Sequence, residues 1–68
     1  MSDHVYKTTE IVGSSTVDTA DAIRKAVAKA SQSLRNLDWF EVVGIRGHID
    51  DGEVKHLQVT VKVGFRLE

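Results

Sequence analysis

The sequence predicts an α+β protein in which a three-stranded antiparallel sheet wraps around one helix. Three observations indicate this fold: strand-favouring residues open the chain, an amphipathic stretch follows them, and two alternating segments joined by Asp51-Gly52 close it. The order of elements is therefore β-α-β-β. A chain of 68 residues has room for a single domain, which we predict over residues 1–68.

The first half of the chain predicts a strand followed by a helix. His4–Val12 is rich in β-branched residues and predicts the first strand. A Gly-Ser-Ser-Thr segment interrupts it, and Ser15 with Asp18 three positions later resembles a capping box. The helix is predicted over Val17–Leu37 and ends with the left-handed conformation that Asn36 accepts. Its apolar residues recur at the spacing of one helix face: Ile23, Ala26, Val27, Ala30, Leu34 and Leu37.

The second half of the chain predicts a β-hairpin. Its strands are Trp39–Ile49 and Glu53–Leu67, and the Asp-Gly pair between them is a strong hairpin signal. The last strand is the longest and most regular, so we place it in the centre, which makes every neighbouring pair antiparallel. We expect the helix to cover Phe40, Val42 and the apolar face of that strand, which includes Val59, Val61 and Val63.

The predicted helix is too short for this hairpin. Its 21 residues span about 32 Å, whereas the last strand spans about 50 Å. A chain of this size buries only a modest core, and without Cys it has neither disulfides nor thiolate metal sites. We therefore expect another copy of the chain to cover the rest of the sheet, so that the protein is a homo-oligomer.

A two-residue hairpin loop predicts which side chains face each other. Four pairs then lie on the face away from the helix: Trp39 with Gly64, Glu41 with Lys62, Val43 with Thr60, and Ile45 with Gln58. Gly64 leaves room for a flat group beside the Trp39 indole, and Gln58 adds an amide, an arrangement typical of a ligand platform. Arg46 faces the helix in this register, but glycines lie close to it on both sides. A bulge there would turn Arg46 onto the Trp39 face.

Each of these residues also has a purely structural interpretation. A tryptophan such as Trp39 just after a helix is often a core residue, and Gln58 on a polar face is usually solvated. The facing Glu-Lys pair predicts a cross-strand ion pair. Arg46 and Arg66 are either surface charges or anchors for a phosphate. The three histidines lack metal-ligand spacing, so we interpret them as surface or interface residues.

The composition argues against several classes of protein. A net charge of −1 gives no electrostatic attraction to a nucleic-acid backbone. No apolar run reaches the roughly 20 residues that cross a membrane, and Met1–His4 lacks the basic and apolar regions of a signal peptide. We therefore expect a cytoplasmic protein that binds neither nucleic acid nor membranes. No Ser/His/Asp or Cys/His set can be assembled, so we expect no enzyme.

The chain resembles the bacterial dodecins over essentially its whole length. The matching segments are Glu10–Ser15, Leu37–Val42, Ile45–His48, His56–Val59 and Lys62–Leu67. The resemblance implies a β-α-β-β subunit whose sheet is partly wrapped around the helix. It also implies that twelve subunits form a hollow, dodecameric shell.

The same resemblance implies a flavin site. Flavins in that family bind in pairs between tryptophans of symmetry-related subunits, so Trp39 is expected to stack on a flavin and Gln58 to hydrogen-bond its ring edge. Arg46 and Arg66 stand at cationic positions near that site. The implied cofactor is FMN, with riboflavin and other flavins as alternatives, and some members also carry coenzyme A. The implied function is flavin storage and sequestration with photoprotective quenching by the tryptophan. A flavin-dependent redox enzyme and a coenzyme A-binding structural shell remain open.

Overall fold

The computed structural model describes residues 3–67 as a three-stranded sheet with one helix on one face. The elements are β1 (Val5–Ser15), α1 (Thr19–Ala30), β2 (Leu37–Asp50) and β3 (Glu53–Leu67). The strand order is β1-β3-β2 and both pairs are antiparallel, which confirms the predicted topology with β3 in the centre. Residues 1, 2 and 68 of the predicted domain lie outside the described part.

Strand β1 is longer than predicted. It continues past Val12 because its pairing with β3 extends through Gly13 to Ser15. Gly13 is the point at which β1 and α1 approach most closely, since an added Cβ would lie 2.1 Å from the carbonyl oxygen of Ala22. The glycine therefore permits a close helix–strand contact and does not end the strand.

The helix begins at a different cap from the one predicted. Asp18 is the N-cap, and its Oδ1 accepts a hydrogen bond from the backbone N–H of Asp21 at 2.7 Å. Ser15 is buried in the preceding turn, where its Oγ accepts from the N–H groups of Val17 and Asp18 and donates to Asp21 Oδ2 at 2.6 Å. This bond, followed by that from Lys25, lowers the pKa of the Asp21 carboxyl. Ser15 thus fixes the turn between β1 and α1 instead of capping the helix.

The helix ends at Ala30, seven residues before the predicted end at Leu37. Residues 31–33 form a turn, and Leu34 and Leu37 pack against the core from outside the helix. Their helical spacing therefore reflects burial against the same core and not a continuing helix. Asn36 has the predicted left-handed conformation, with φ 62°, but it lies in the connection to β2.

The core lies between α1 and the middle of β3. Ala22 and Ala26 pack against three fully buried valines, Val59, Val61 and Val63. Ala30, one turn further along the same helix face, is also buried. The helix packs mainly on β1 and β3. The expectation that it also covers Phe40 and Val42 is wrong, because these side chains are 51% and 40% exposed. Within residues 3–67, no helix has the length and apolarity to cross a membrane.

The molecule is elongated, measuring 56 × 20 × 14 Å. Its radius of gyration is 14.3 Å, whereas a compact chain of this length has about 11 Å. The 12-residue helix spans about 18 Å and leaves about 32 Å of β3 uncovered, more than the sequence predicted. Apolar side chains on the helix side of the hairpin, including Ile45, Ile49 and Val54, are therefore exposed.

The hairpin turn and the register next to the helix are as predicted. Asp51 and Gly52 have φ values of 54° and 77°, the left-handed conformation that a tight two-residue turn requires. Two predicted pairs are present: Trp39 with Gly64, and Glu41 with Lys62. The second of these pairs does not form the predicted ion pair. The ion pairs within residues 3–67 join Lys25 to Asp21 in α1 and Lys55 to Glu53 beside the hairpin turn.

The register changes near the middle of β2. A shift between Val42 and Gly44 leaves Val43 as the extra residue of a bulge, so that Gly44 faces Thr60. The predicted pairs of Val43 with Thr60 and of Ile45 with Gln58 are therefore wrong. Arg46 instead faces Gln58, on the same side of the sheet as Trp39, as expected if a bulge formed.

Candidate functional site

The face of the sheet away from α1 carries all four residues that the sequence singled out, but in two groups. Trp39 and Arg66 lie with Gly64 at one end, here called the tryptophan end. Arg46 and Gln58 lie toward the turn with a histidine pair, at the hairpin end. Gly64 and Gln58 are six residues apart in β3, which is up to about 20 Å. A single subunit therefore does not bring the four residues together.

At the tryptophan end, the indole of Trp39 lies flat on Gly64. A Cβ added to Gly64 would lie 2.1 Å from Cε2 and 2.3 Å from Cζ2 of the indole. The indole itself thus fills the space that the sequence assigned to a separate flat group. Trp39 is 41% exposed, so one face of the ring rests on the strand while the other is accessible. Trp39 is therefore not a buried core residue, which was the purely structural interpretation of its sequence position.

A hydrogen bond across the sheet lies beside this tryptophan. Tyr6 faces Arg66 in the register of β1 with β3, and its hydroxyl donates to the carboxylate of Asp38. That bond raises the pKa of Tyr6, and the positive charge of Arg66 partly opposes the effect. The backbone N–H of Arg66 also donates to the carbonyl oxygen of Asn36 at 3.1 Å. These contacts link all three strands at the start of β2, next to Trp39, and the sequence pattern did not predict them.

At the hairpin end, Arg46 orients the amide of Gln58. Arg46 Nε donates to Gln58 Oε1 at 2.9 Å, directly across the strand pair. Because the amide oxygen accepts this bond, the NH₂ group of Gln58 points away from the guanidinium. The terminal NH₂ groups of Arg46 and the amide NH₂ of Gln58 are donors, so this pair suits a ligand with acceptor oxygens.

Two histidines complete the hairpin end. His48 faces His56, and their ring centroids are 6.5 Å apart. With Arg46, Gly47 and Gln58 they line an open pocket of about 580 Å³. The predicted register would have placed His48 opposite Lys55, so only the bulge at Val43 reveals this pair. Within residues 3–67, no group of three or more His, Asp or Glu side chains could hold a metal ion.

This β-α-β-β fold and its residues match a known family over nearly the whole chain. The family model described as Dodecin matches residues 5–68. A dodecin from Thermus thermophilus is 53% identical over 64 residues, which cover 94% of this chain and 93% of the relative. The chain belongs to the dodecin family. The resemblance inferred from the sequence is thereby confirmed.

Solved dodecin structures share the fold in full. The dodecin of Streptomyces coelicolor is 57% identical, with a TM-score of 0.93 over 100% of this chain and 97% of its own. That of Streptomyces davaonensis is 55% identical, with a TM-score of 0.92 over 98% of each chain. The Thermus thermophilus dodecin has also been crystallised as variants in which a tryptophan is replaced by Phe, or one of two arginines by Ala. The β-α-β-β dodecin topology of this chain is therefore established.

Proposed function

We propose that this dodecin binds FMN in order to store and sequester it, and that it quenches the light-excited flavin. The observation that carries the proposal is the indole of Trp39, which rests on Gly64 with one face and is open on the other. A planar heteroaromatic ring such as that of a flavin stacks on such a surface, and comparable base–aromatic stacking contributes about 1–3 kcal/mol. A tryptophan held flat on a glycine strand is already positioned for that contact.

The spacing of the predicted site residues supports this assignment. Trp39 and Arg46 are seven positions apart, and Arg46 and Arg66 are twenty apart. The tryptophan and the two arginines replaced in the Thermus thermophilus variants have the same spacing of seven and twenty. We therefore assign Trp39, Arg46 and Arg66 to the ligand site together with Gln58.

The separation of the two ends implies that the site is completed by assembly. A flavin ring is far shorter than the roughly 20 Å between Gly64 and Gln58, so one ring cannot contact both ends of one subunit. We propose that the tryptophan end of one subunit meets the hairpin end of another. There the indole would hold the flavin ring by stacking, and the amide NH₂ of Gln58 would donate to its carbonyl oxygens.

The uncovered helix side of the sheet supports assembly on independent grounds. A groove of about 490 Å³ runs between α1 and β2, and its lining is largely apolar: Ala20, Ile23, Arg24, Val27, Ala28 and Phe40. Beyond it lies the exposed apolar side of the hairpin. A surface of this kind on a small chain favours burial against further copies. We propose a dodecameric shell, in which twelve 7.5 kDa subunits give a mass of about 90 kDa.

The proposed role is binding and not catalysis. Bound FMN would supply a light-absorbing ring, and close contact with an electron-rich indole would let its excitation energy dissipate as heat. The chain's own residues hold and orient the ligand: Trp39 by stacking, Gln58 and Arg46 by donating hydrogen bonds. The hydrogen bond between Arg46 and Gln58 keeps the amide in one orientation. Rigid placement of this kind favours storage.

Fluorescence titration tests the function. Purified protein is expected to quench FMN fluorescence and to saturate at one flavin per subunit. Trp39→Ala is expected to abolish the quenching, whereas Trp39→Phe, which keeps an aromatic surface, is expected to retain weaker binding. If the unaltered protein leaves FMN fluorescence unchanged, or if Trp39→Ala quenches equally well, the proposal is wrong. Light scattering of the same samples measures the mass, and a monomer would contradict the assembly.

A further inference from the structure

We propose that Asp38 and Tyr6 are positioning residues, which direct the Trp39 indole to the face of the sheet away from α1 and hold it there. Because the flavin would stack on that indole, the inference rests on the proposed function. Neither Asp38 nor Tyr6 is assigned a contact with the ligand. The observation behind the inference is an irregularity in β2 besides the bulge at Val43, one residue before the tryptophan.

Asp38 is the extra residue of a β-bulge. Leu37 faces Phe65 and Trp39 faces Gly64, so two residues advance in β2 while one advances in β3. In a regular strand Leu37 and Trp39, which are two positions apart, would lie on the same face of the sheet. Here Leu37 packs against the core on the helix side, whereas Trp39 rests on Gly64 on the opposite side. The bulge at Asp38 therefore separates these two side chains.

A continuous register at this point would disturb either the core or the ligand surface. If the register of Leu37 continued, Trp39 would face Val63 and point toward the helix, where Val63 is already fully buried. If the register of Trp39 were extended backwards, Leu37 would face Arg66 and leave the core. The bulge is thus the arrangement that keeps Leu37 against the core and Trp39 on the open face.

The hydroxyl of Tyr6 holds this bulge from the opposite edge of the sheet. A bulge disrupts the hydrogen bonds of the ladder, so its extra residue needs another anchor. Tyr6 lies in β1 opposite Arg66, whereas Asp38 lies in β2, so the hydrogen bond from the Tyr6 hydroxyl to the Asp38 carboxylate crosses the central strand. Arg66 shares its face with Gly64, two positions away. The bond therefore passes over β3 beside the glycine on which the indole rests.

The length of the tyrosine side chain suits this contact. Neighbouring strands are about 4.8 Å apart, so β1 and β2 are separated by about 10 Å. A hydrogen bond over that distance requires a long side chain from one edge, here the phenol of Tyr6, and an acceptor from the other. Within residues 3–67 the aromatic ring contact is between His48 and His56, so the phenol does not stack on Trp39. Tyr6 acts on the indole through Asp38.

The order of the indole in the ligand-free protein tests the inference. Trp39 is the only tryptophan, and its near-ultraviolet circular dichroism band is strong only when the ring is held in one orientation. Tyr6→Phe keeps the aromatic ring and removes the hydroxyl. It should weaken this band and raise the Kd for FMN about fivefold, as the loss of one hydrogen bond would produce. Asp38→Ala should have the same effect, whereas Asp38→Asn keeps an acceptor oxygen and should behave like the unaltered protein.

A double variant and a control separate positioning from general stability. If Tyr6 acts through Asp38, Tyr6→Phe/Asp38→Ala should weaken the tryptophan band and FMN binding no more than either single change. Ser31→Ala is the matched control, because it also removes an exposed hydroxyl hydrogen bond. That bond goes to the carbonyl oxygen of Ala28 at 2.8 Å, at the end of α1. Ser31→Ala should leave both the band and the Kd unchanged.

The outcomes distinguish the inference from the flavin function. An unchanged tryptophan band in Tyr6→Phe and Asp38→Ala would overturn the inference, whatever the change in Tm. Additive losses in the double variant, an equal loss in Ser31→Ala, or an Asp38→Asn protein that behaves like Asp38→Ala would overturn it as well. If the unaltered protein binds no FMN, the flavin function is wrong, while the band measured without ligand still decides the roles of Tyr6 and Asp38. Should Asp38→Ala fail to fold, Tyr6→Phe and Asp38→Asn provide the comparison.

Discussion

Gly64→Ala tests whether the position of the Trp39 indole against Gly64 determines ligand binding. The added Cβ would lie 2.1 Å from Cε2, 2.3 Å from Cζ2 and 2.7 Å from Cδ2 of Trp39, whereas ordinary contacts begin near 3.4 Å. The ring must therefore retreat by at least about 1.3 Å. Because Trp39 is 41% exposed, it can move outward, so we expect a cost of about 1 kcal/mol in folding, the lower end for overpacking. The displaced ring would lose much of its stacking contact, and the Kd for FMN should rise about tenfold or more.

Two measurements follow this change. Trp39 is the only tryptophan, so intrinsic fluorescence reports directly on the indole and should shift in Gly64→Ala. FMN titration then gives the change in affinity. Gly44→Ala is the matched control for folding, because its Cβ meets nothing within 4 Å, and it should leave the indole fluorescence and the Tm unchanged. If the indole fluorescence shifts but the FMN affinity equals that of the unaltered protein, the position of the indole against Gly64 does not determine ligand binding and the reasoning is refuted.

Three further substitutions test the packing and the polar contacts. Gly13→Ala places a Cβ 2.1 Å from a backbone carbonyl of α1, which cannot rotate away, so chemical denaturation should show a loss of about 3 kcal/mol or failure to assemble. Ser15→Ala removes the main cause of the lowered pKa of Asp21. A lowered pKa in the folded state stabilises the fold above about pH 4, and this part of the stability is lost in acid. The Tm difference between the unaltered and variant proteins should therefore narrow below pH 4 to the part that comes from the lost bonds to Val17 and Asp18. Tyr6→Phe removes the bond to Asp38 that raises the Tyr6 pKa. Its contribution is present below about pH 10 and is lost as the pH rises further, so the two Tm values should differ at pH 8 and approach each other as the pH rises above 10.

The hairpin could be predicted from the sequence because its signals are local. The alternation along β3 and the Asp-Gly turn determine the strand pairing and the central position of β3, and both are confirmed. The helix end could not be predicted in the same way. Leu34 and Leu37 continue the helical spacing, yet they reach the core from a connecting segment and from β2. A periodic pattern indicates which residues are buried but not the backbone conformation that buries them. Here residues in α1 and residues outside it pack against the same core.

The site was predicted less completely than the fold. Trp39 and Gln58 are on the expected face because β3 alternates regularly. The indole resting on Gly64 and the hydrogen bond from Tyr6 to Asp38 depend on side-chain conformations that spacing does not encode. The division of the site between two ends follows from the distance along β3. That distance shows that the site is divided only when it is compared with the length of a ligand ring, which the sequence does not give.

The bulge at Val43 connects these two ends. Trp39 and Arg46 are seven residues apart, so in a regular strand their side chains would lie on opposite faces of the sheet. The extra residue changes the alternation once, which leaves Trp39 opposite Gly64 and brings Arg46 opposite Gln58 on the same face. The helix side keeps its apolar residues on both sides of the bulge, because Phe40 faces Val63 and Ile45 faces Val59. One inserted residue therefore lies between two segments that present an apolar face for assembly and a continuous face for the ligand. Deletion of Val43 would leave Trp39 and Arg46 an even six residues apart, so the bulge should disappear while Arg46 stays opposite Gln58 and the hairpin turn is unaltered.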